Sequence, residues 1–496
     1  MRIRIVKTGS GKHAVQVVSK HHGKLRIHKH LGSFVTDEER KDLEERARTF
    51  ITIHTPEQQN LFSLHLPDPI IPGLRITNSQ PLFLYRLLSS LYDTLGFSAC
   101  PDSVIRDLVI ARICQPVSKR ETIEILADDF GKLYALKTIY RHLKQALAGG
   151  LKETFQTALV TFAKTALSDP LTLVFYDVTT LSFESTVKDD LRSFGFAKNR
   201  RNDLTQVVVG LVVTRQGFPL YFDVFAGNTF EGHTLETIID GIKIFLSAPD
   251  LVVVADAAML SQSNLDLLRK KRIGFVVGAR LANLPITEIT EISEILSGKD
   301  QAMTERLWYG TRLICQYSAS RAVKDRQDRR KQTEKAHAAI KTPGTVLRHL
   351  KFISTKGQTV TLNTALLSKT EQLEGMKGYL TNTTLDPAVV IDRYHDLWRI
   401  EKAFRITKVD LEARPIFHRL DETIRAHLTI VVAGLAICTY AELKTGISTK
   451  AILKTARKVL THTITIASTG ERGIVESTIE DPKFCGQLSK LRNLGY

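Results

Sequence analysis

The sequence predicts an α/β protein. It reads as a mixed sheet with helices on its faces, interrupted by a β-rich insertion and preceded by a basic region of hairpins and helices. Three observations predict this. At Leu171 the hydrophobic period changes from helical spacing to short apolar runs. Two of those runs, "LTLVFYD" and "LVVVAD", close on an Asp. The order from there is strand, two paired strands, helix, strand, helix, strand, which fits a mixed sheet covered by helices.

Taken in order, residues 1–75 begin with alternating basic strands, "IRIVKTG" and "HAVQVVSKHHGKLRIHKHLGSF", around Gly turns. The charged helix "TDEERKDLEERARTFI" follows, with Thr36 placed to cap it. "LHLPDPIIPGLR" is a Pro-rich linker. Residues 76–168 are helical by period, and "SKRETIEILADDFGKLYALKTIYRHLKQAL" reads as two helices around Gly131, a helix-turn-helix in outline. A plain helical hairpin satisfies the same pattern.

Residues 169–279 hold the strand ending at Asp177, the hairpin "QVVVGLVVTRQGFPLYFDVFAGN", the helix "HTLETIIDGIKIFL" and the strand stopping at Asp256. A further helix and strand close the segment. The order is that of an RNase H-like fold. Residues 280–385 form the insertion, with the strands "ERLWYG", "TRLICQYSA", "KFISTKG" and "TVTLNTALLSK" and the charged helix "RAVKDRQDRRKQTEKAHAAIK". In residues 386–445 Asp386 caps a helix that has Pro387 at its first position. A buried helix comes next, and residues 446–496 add a hairpin and helix. The apolar run "LTIVVAGLAIC" is too short to span a bilayer.

The bulk numbers narrow the function. A net charge of +17 over 496 residues favours a polyanionic partner, and nucleic acid is the commonest. The five cysteines have neither zinc-finger nor disulfide-framework spacing, and they suit a reducing cytosol. "MRIRIVKTGSGKH" has no apolar segment of the secretory kind.

Asp177 and Asp256 follow β-runs, and an acid there projects from the sheet edge where ligands gather in α/β sheets. Glu401 lies in "YHDLWRIEKAFRITK" among Arg and Lys. Taken singly, each has a structural reading as a loop cap or a surface charge. Together, two strand Asp and a helix Glu suit hard-cation phosphoryl chemistry, in which paired ions clamp the attacking and leaving oxygens. Tyr394, Glu401 and Lys408 are seven apart, so on one continuous helix they share a face, with Trp398 and Arg405 on the same stripe. Leu397, Ile400, Phe404 and Leu411 form the neighbouring face that packs on the sheet. His233, after "NTFEG", reads as a helix cap, His395 and His427 have no partner at metal-ligand spacing, and Asp223 reads as structural.

The chain resembles the DDE transposases of bacterial insertion sequences, in the subgroup with a β-rich insertion before the last acidic residue. The resemblance rests on "LVFYDVTTLSFES", "GFAKNRRNDLTQVVVGLVVTRQGFPLYFDVFAGNTFEGHTL", "VVVADAAMLSQSNL" and "TNTTLDPAVVIDRYHDLWRIEKAFRITKVDLEARPIFHRLDETIRAHL". It runs over roughly residues 1–480. The last block carries Tyr394, Glu401 and Lys408 at the subgroup's signature positions, whereas Leu397 stands where the signature has Arg. The resemblance implies Asp177, Asp256 and Glu401 as catalytic residues holding Mg²⁺, for which Mn²⁺ can substitute. It implies Tyr394 and Lys408 as contacts to DNA phosphates, with Arg399 or Arg405 in the place of the missing Arg. It also implies cleavage at terminal inverted repeats, joining of the freed 3′ ends to target double-stranded DNA, a homodimer in a synaptic complex, and a cytoplasmic site of action at the nucleoid. Two rivals belong to other classes. A transposase-derived DNA-binding protein binds without cutting, and an RNase H-like nuclease cuts without strand transfer.

Overall fold

The computed structural model describes residues 1–9, 11–21, 24–54, 74–195, 203–246, 250–257, 261–341, 350–356, 359–413, 416, 418–466, 469–477 and 479–494. Most of the Pro-rich linker, and residues 196–202, lie outside these residues. The chain divides into two compact units. One comprises Met1–Arg75 with Thr465–Glu471, the other Ile76–Ile464 with Arg472–Tyr496.

In the first unit β1 (Arg2–Lys7), β2 (His13–His21) and β3 (Lys24–Phe34) form an antiparallel sheet in that order. Helix α1 (Asp37–His54) packs on it over a small core of Val15, Val17, Phe34, Leu43 and Ala47. The expected cap is present. The Thr36 hydroxyl accepts from the Glu39 amide, and the Glu39 carboxylate accepts from the amides of Val35 and Thr36.

After β4 (Leu74–Gln80), most of which belongs to the second unit, come five helices, α2 (Leu82–Thr94), α3 (Ser103–Cys114), α4 (Lys119–Phe130), α5 (Leu136–Ala148) and α6 (Leu151–Thr165). Ser118 and Glu121 make a reciprocal capping box at the start of α4, and Gly131 ends it with φ 66°, a left-handed position that favours glycine. Next come β5 (Leu173–Ser182), β6 (Gln206–Thr214), β7 (Pro219–Ala226), α7 (Leu235–Leu246), β8 (Val252–Ala255), α8 (Gln262–Lys270) and β9 (Gly274–Ala279). This is the predicted order.

Residues 280–385 contain α9 (Ile286–Leu296), β10 (Met303–Trp308), β11 (Thr311–Tyr317), α10 (Ala319–Lys341), β12 (Ile353–Lys356), β13 (Thr359–Leu362), α11 (Thr364–Gln372) and β14 (Met376–Thr381). "TALLSK", read from the sequence as strand, begins α11, because Asn363 caps a helix there by accepting from the Leu366 amide. Three of the segment's strands extend the central sheet, whose order is β10-β11-β14-β9-β8-β5-β6-β7 among the described residues. Strands β5, β8 and β9 are parallel neighbours, and the flanking pairs are antiparallel.

The chain then runs through α12 (Pro387–His395), α13 (Trp398–Arg405), α14 (Asp421–Thr445), α15 (Thr449–Arg457), β15 (Leu460–Ile466), β16 (Arg472–Ser477) and α16 (Pro482–Arg492). The Asp386 carboxylate accepts from the Ala388 amide at 2.8 Å, with Pro387 in the first turn. Helix α14 is long and apolar enough to cross a membrane, yet its most apolar window is 89% buried inside the protein. It packs on α3, α5 and α6 as the core helix of the unit.

Candidate active site

Strands β5 and β8 run parallel, and their last register pair is Tyr176↔Ala255. The next residues on the two strands are Asp177 and Asp256. Parallel neighbours in register lie about 4.8 Å apart and present their side chains to the same face. Where β8 ends, this register carries the chain at Asp256 alongside that at Asp177. Asp256 follows the end of β8, as the sequence predicts. Asp177 does not end its strand. β5 continues to Ser182 because it stays paired with β6, Asp177 opposite Leu211. What stops at Asp177 is the partner on its other side. The row continues across the sheet, since Ala255 pairs with Val277, so that Gly278 follows beside Asp256, and Gly278 pairs with Tyr379.

Gly278 is a glycine for a steric reason. A Cβ there would sit 2.5 Å from the Tyr394 hydroxyl oxygen. The bare backbone lets the Tyr394 ring lie over the sheet and donate its hydroxyl proton to Asp256 Oδ1 at 3.1 Å. Tyr379 meets that ring edge-on, with centroids 5.1 Å apart. Lys377, two residues earlier on β14, holds its ammonium 4.4 Å from the centroid of the Tyr394 ring. Burial pushes the Tyr394 phenol well above its usual range, with the Asp256 charge next in effect and Glu401 also contributing. Burial, followed by the charge of Arg321, holds Lys377 below the usual lysine value, while Asp256 and Glu401 act in the opposite sense. Lys377 and Tyr394 thus sit in the field of both acids. Glu401 is exposed on α13, which packs on β5, the strand of Asp177.

The helix of Tyr394, Glu401 and Lys408 is not continuous. α12 ends at His395, α13 begins at Trp398, and Ile406–Asp410 form a π-turn in which the Leu411 amide donates to the Ile406 carbonyl. At the break, the Arg399 amide donates to the Asp396 carbonyl and the Ile400 amide to that of Leu397, a tighter three-residue spacing. The cause is Asp396. Its buried carboxylate accepts from Arg215 Nε of the β6–β7 turn at 2.8 Å and from Arg399 Nε at 3.1 Å. Burial alone would raise the Asp396 carboxyl, but these two hydrogen bonds keep it below the usual range. The heptad spacing therefore does not place the three side chains on one exposed stripe. Tyr394 is buried, Glu401 exposed and Lys408 half-buried with its ammonium 5.9 Å from the Phe404 ring centroid. The expected packing face does form, since Leu397, Ile400, Phe404 and Leu411 are all buried. Leu397 sits in the core at the break, so it contributes packing where the signature has Arg.

Arg399 faces away from the carboxylates. It lines a separate cavity with Gln216, Lys402 and Glu442, and Lys402 donates to Glu442 at 2.6 Å. Arg405 is exposed at the end of α13. Asp223 is structural as expected, accepting from Lys152 at 2.7 Å.

Asp256 and Tyr394 open onto a cavity of about 750 Å³ whose wall includes Arg321 and Arg329 of the charged helix α10, Lys351 and Lys377. Lys377, Arg321 and Gly278 were not legible as site residues. "MKGYLT" is an ordinary strand pattern, and only the sheet order brings β14 within reach of β8 through β9. All the candidate ligands are carboxylate oxygens, the donors a hard cation such as Mg²⁺ prefers. Among the described residues no three Asp, Glu, His or Cys side chains gather closely enough to enclose an ion on their own. Mg²⁺ characteristically takes one or two carboxylates together with water and substrate phosphate, so this open arrangement fits an ion completed by substrate.

The family model of the transposase DDE domain matches residues 169–437, more than half of the chain, from just before β5 into α14. Among solved structures, one similar chain is that of a cryo-EM structure of the piggyBac transposase synaptic complex with hairpin DNA. It is 9% identical, with a TM-score of 0.41, over 78% of this chain and 81% of that one. No curated protein matches.

Proposed function

The chain belongs to the transposase DDE-domain family, and we propose that it cuts insertion-sequence ends and joins their 3′ ends to target DNA, with Asp177, Asp256 and Glu401 as its catalytic carboxylates. The observation that supports this reading is the parallel register of β5 and β8, whose last pair, Tyr176↔Ala255, immediately precedes Asp177 and Asp256. Packing of α13 on β5 brings the Glu401 helix to the same strand.

Asp177, Asp256 and Glu401 would hold Mg²⁺, or Mn²⁺ in its place. When bound, such ions supply Lewis acidity toward the attacking and leaving oxygens of an in-line displacement. The chain's own groups do the positioning. Tyr394 fixes the Asp256 carboxylate through its hydroxyl, leaving Oδ2 for the reaction side. Lys377 and Arg321 line the groove beside Asp256 and attract a phosphodiester into it. Lys408 and Arg405 would meet flanking phosphates beyond Glu401, whereas Arg399, tied to Asp396, serves to hold the break between α12 and α13. Tyr394 is buried, so in this structure its contribution to DNA binding runs through Asp256. Residues 1–75 and 76–168 would read the terminal repeats, and a homodimer would pair two ends. The net charge of +17 supports the polyanionic partner.

The test is cleavage and strand transfer on end-bearing duplex with Mg²⁺, comparing the wild type with Glu401→Gln. Loss of both steps with DNA binding retained is expected. Undiminished cleavage by the variant removes Glu401 from the site.

A further inference from the structure

A second cluster of titratable groups lines a different cavity from the groove at Asp256. Arg112 at the end of α3, Lys119 in the first turn of α4, His418 before α14 and His427 in α14 line a cavity of about 110 Å³, with Arg120 and Tyr140 at its wall. The first four are buried, between 4% and 7% exposed. Cations are almost never buried this far without an acidic partner. Among the described residues no carboxylate lines this cavity. Glu412 is the acid whose charge reaches Arg112, and the charge that acts on Lys119 is the repulsive one of Arg112.

Two buried polar atoms of the cluster lack a hydrogen bond among the described residues, Arg112 Nε and His427 Nδ1. They do so although both side chains are otherwise anchored. The Arg112 Nη2 donates to the Val117 carbonyl at 3.0 Å, and the Ala413 backbone favours the charged form of the His427 ring. The start of the twelve-residue helix α4 adds the positive end of its dipole. Among the described residues, an orphaned Arg112 donor, an unmatched imidazole nitrogen, buried cations with no carboxylate in the lining and a helix N-terminus converge on one small space.

We propose that this cavity is a binding site for a single phosphate-class oxyanion, held by Lys119 and Arg112 with His418 and His427 behind it and Arg120 at the mouth. Its volume is far below the roughly 300 Å³ of an ordinary ligand pocket, so it takes one tetrahedral group and not a nucleotide. With no anion, burial leads the effects that hold Lys119 and His427 well below their usual values and His418 down at about 3. An anion gives each charged form a partner and reverses that direction. The site joins α3, α4 and the core helix α14, so its occupancy ties the helical region to the domain that carries Glu401. The phosphate can be free orthophosphate or a backbone phosphate of bound DNA.

Thermal unfolding of the full chain in phosphate-free buffer tests this, with sodium phosphate titrated against sodium chloride of equal ionic strength. The wild-type midpoint is expected to rise with the logarithm of phosphate concentration beyond the chloride control. Lys119→Met should melt higher without phosphate and ignore its addition. Arg120→Ala, at an exposed position that leaves the fold intact, should respond with weaker half-saturation. Duplex binding separates the two sources. Competition by phosphate, lost in Lys119→Met, assigns the site to a DNA phosphate. Equal DNA affinity of both proteins with no competition assigns it to the free anion. A wild type that responds to phosphate no more than to chloride, together with unchanged DNA binding by Lys119→Met, overturns the proposal, as does a Lys119→Met protein that responds as the wild type does.

Discussion

The sheet face at Asp256 and the cavity beside Lys119 both crowd charge, but they are built on opposite rules. At Asp256 acid and base alternate. Lys377 lies in the field of Asp256 and Glu401, Arg321 lines the same groove as Asp256, a tyrosine hydroxyl donates to that carboxylate, and the groove is open. At Lys119 cations and imidazoles line a small space with no carboxylate among them, and among the described residues Arg112 Nε and His427 Nδ1 go unmatched. Balanced charge in an open groove costs little to keep, because water and opposite charges solvate each group. Unbalanced charge in the interior costs several kcal/mol per ion in general and persists when something else supplies the counter-charge. The first region reads as a place that works on its ligand, the second as one that is completed by it.

Four measurements break or sharpen that contrast. The largest effect is expected at Asp256. Metal-stabilised charge is worth several kcal/mol, so Asp256→Asn should lower end cleavage on the order of a thousandfold, at 1.36 kcal/mol per decade. Single-turnover cleavage of labelled ends checks it, and a near-normal rate would dissolve the contrast by making the first region merely structural. Tyr394→Phe keeps the ring over Gly278 and removes only the hydroxyl on Asp256. Supporting contacts of this kind are worth roughly 10- to 100-fold, and the loss should fall on the cleavage rate with DNA affinity unchanged.

Stability should move the other way at the second region. Lys119→Met exchanges a buried cation for an apolar chain of similar length, and stabilisation of about 1–4 kcal/mol is expected in denaturant melts without phosphate. A destabilised variant would mean that the charge already has its partner. The smallest effect is in pH. The folded value of His418 lies near 3, below the 6.5 of a free imidazole. The unfolded chain therefore takes up the proton first, and the contribution is complete above pH 6.5 and lost as pH falls toward 3. Between pH 6.5 and 5, above the carboxylate range, stability should fall by up to about 1.4 kcal/mol per pH unit for this imidazole. Melts of the wild type and His418→Gln across that window give the difference, and saturating phosphate should flatten it.

How far each region was legible follows from what each depends on. Asp177, Asp256 and Glu401 stand out because apolar runs and an amphipathic stretch frame them locally. The caps at Thr36, Asp386 and Gly131 could be read for the same reason, since a cap is settled within four residues. The second region left no trace. Arg112, Lys119, His418 and His427 are spread over more than 300 positions, and each sits in an unremarkable polar or helical context. His427 alone drew notice, as a histidine without a metal partner.

By itself, then, the sequence determined the element order, the strand and helix that carry each acid, and the family, because these depend on local periodicity and on residues close in the chain. Tertiary structure decided the rest. It set the register that carries the chain at Asp256 alongside that at Asp177, and the sheet order that brings Lys377 and Tyr394 over Gly278. It broke the helix at Asp396, through an arginine from a hairpin some 180 residues earlier. It also buried four basic groups in one cavity. The physical reason is common to all four. A hydrogen bond, an ion pair or a packing contact between distant segments depends on where the backbone arrives in space, and no local period in the chain records that.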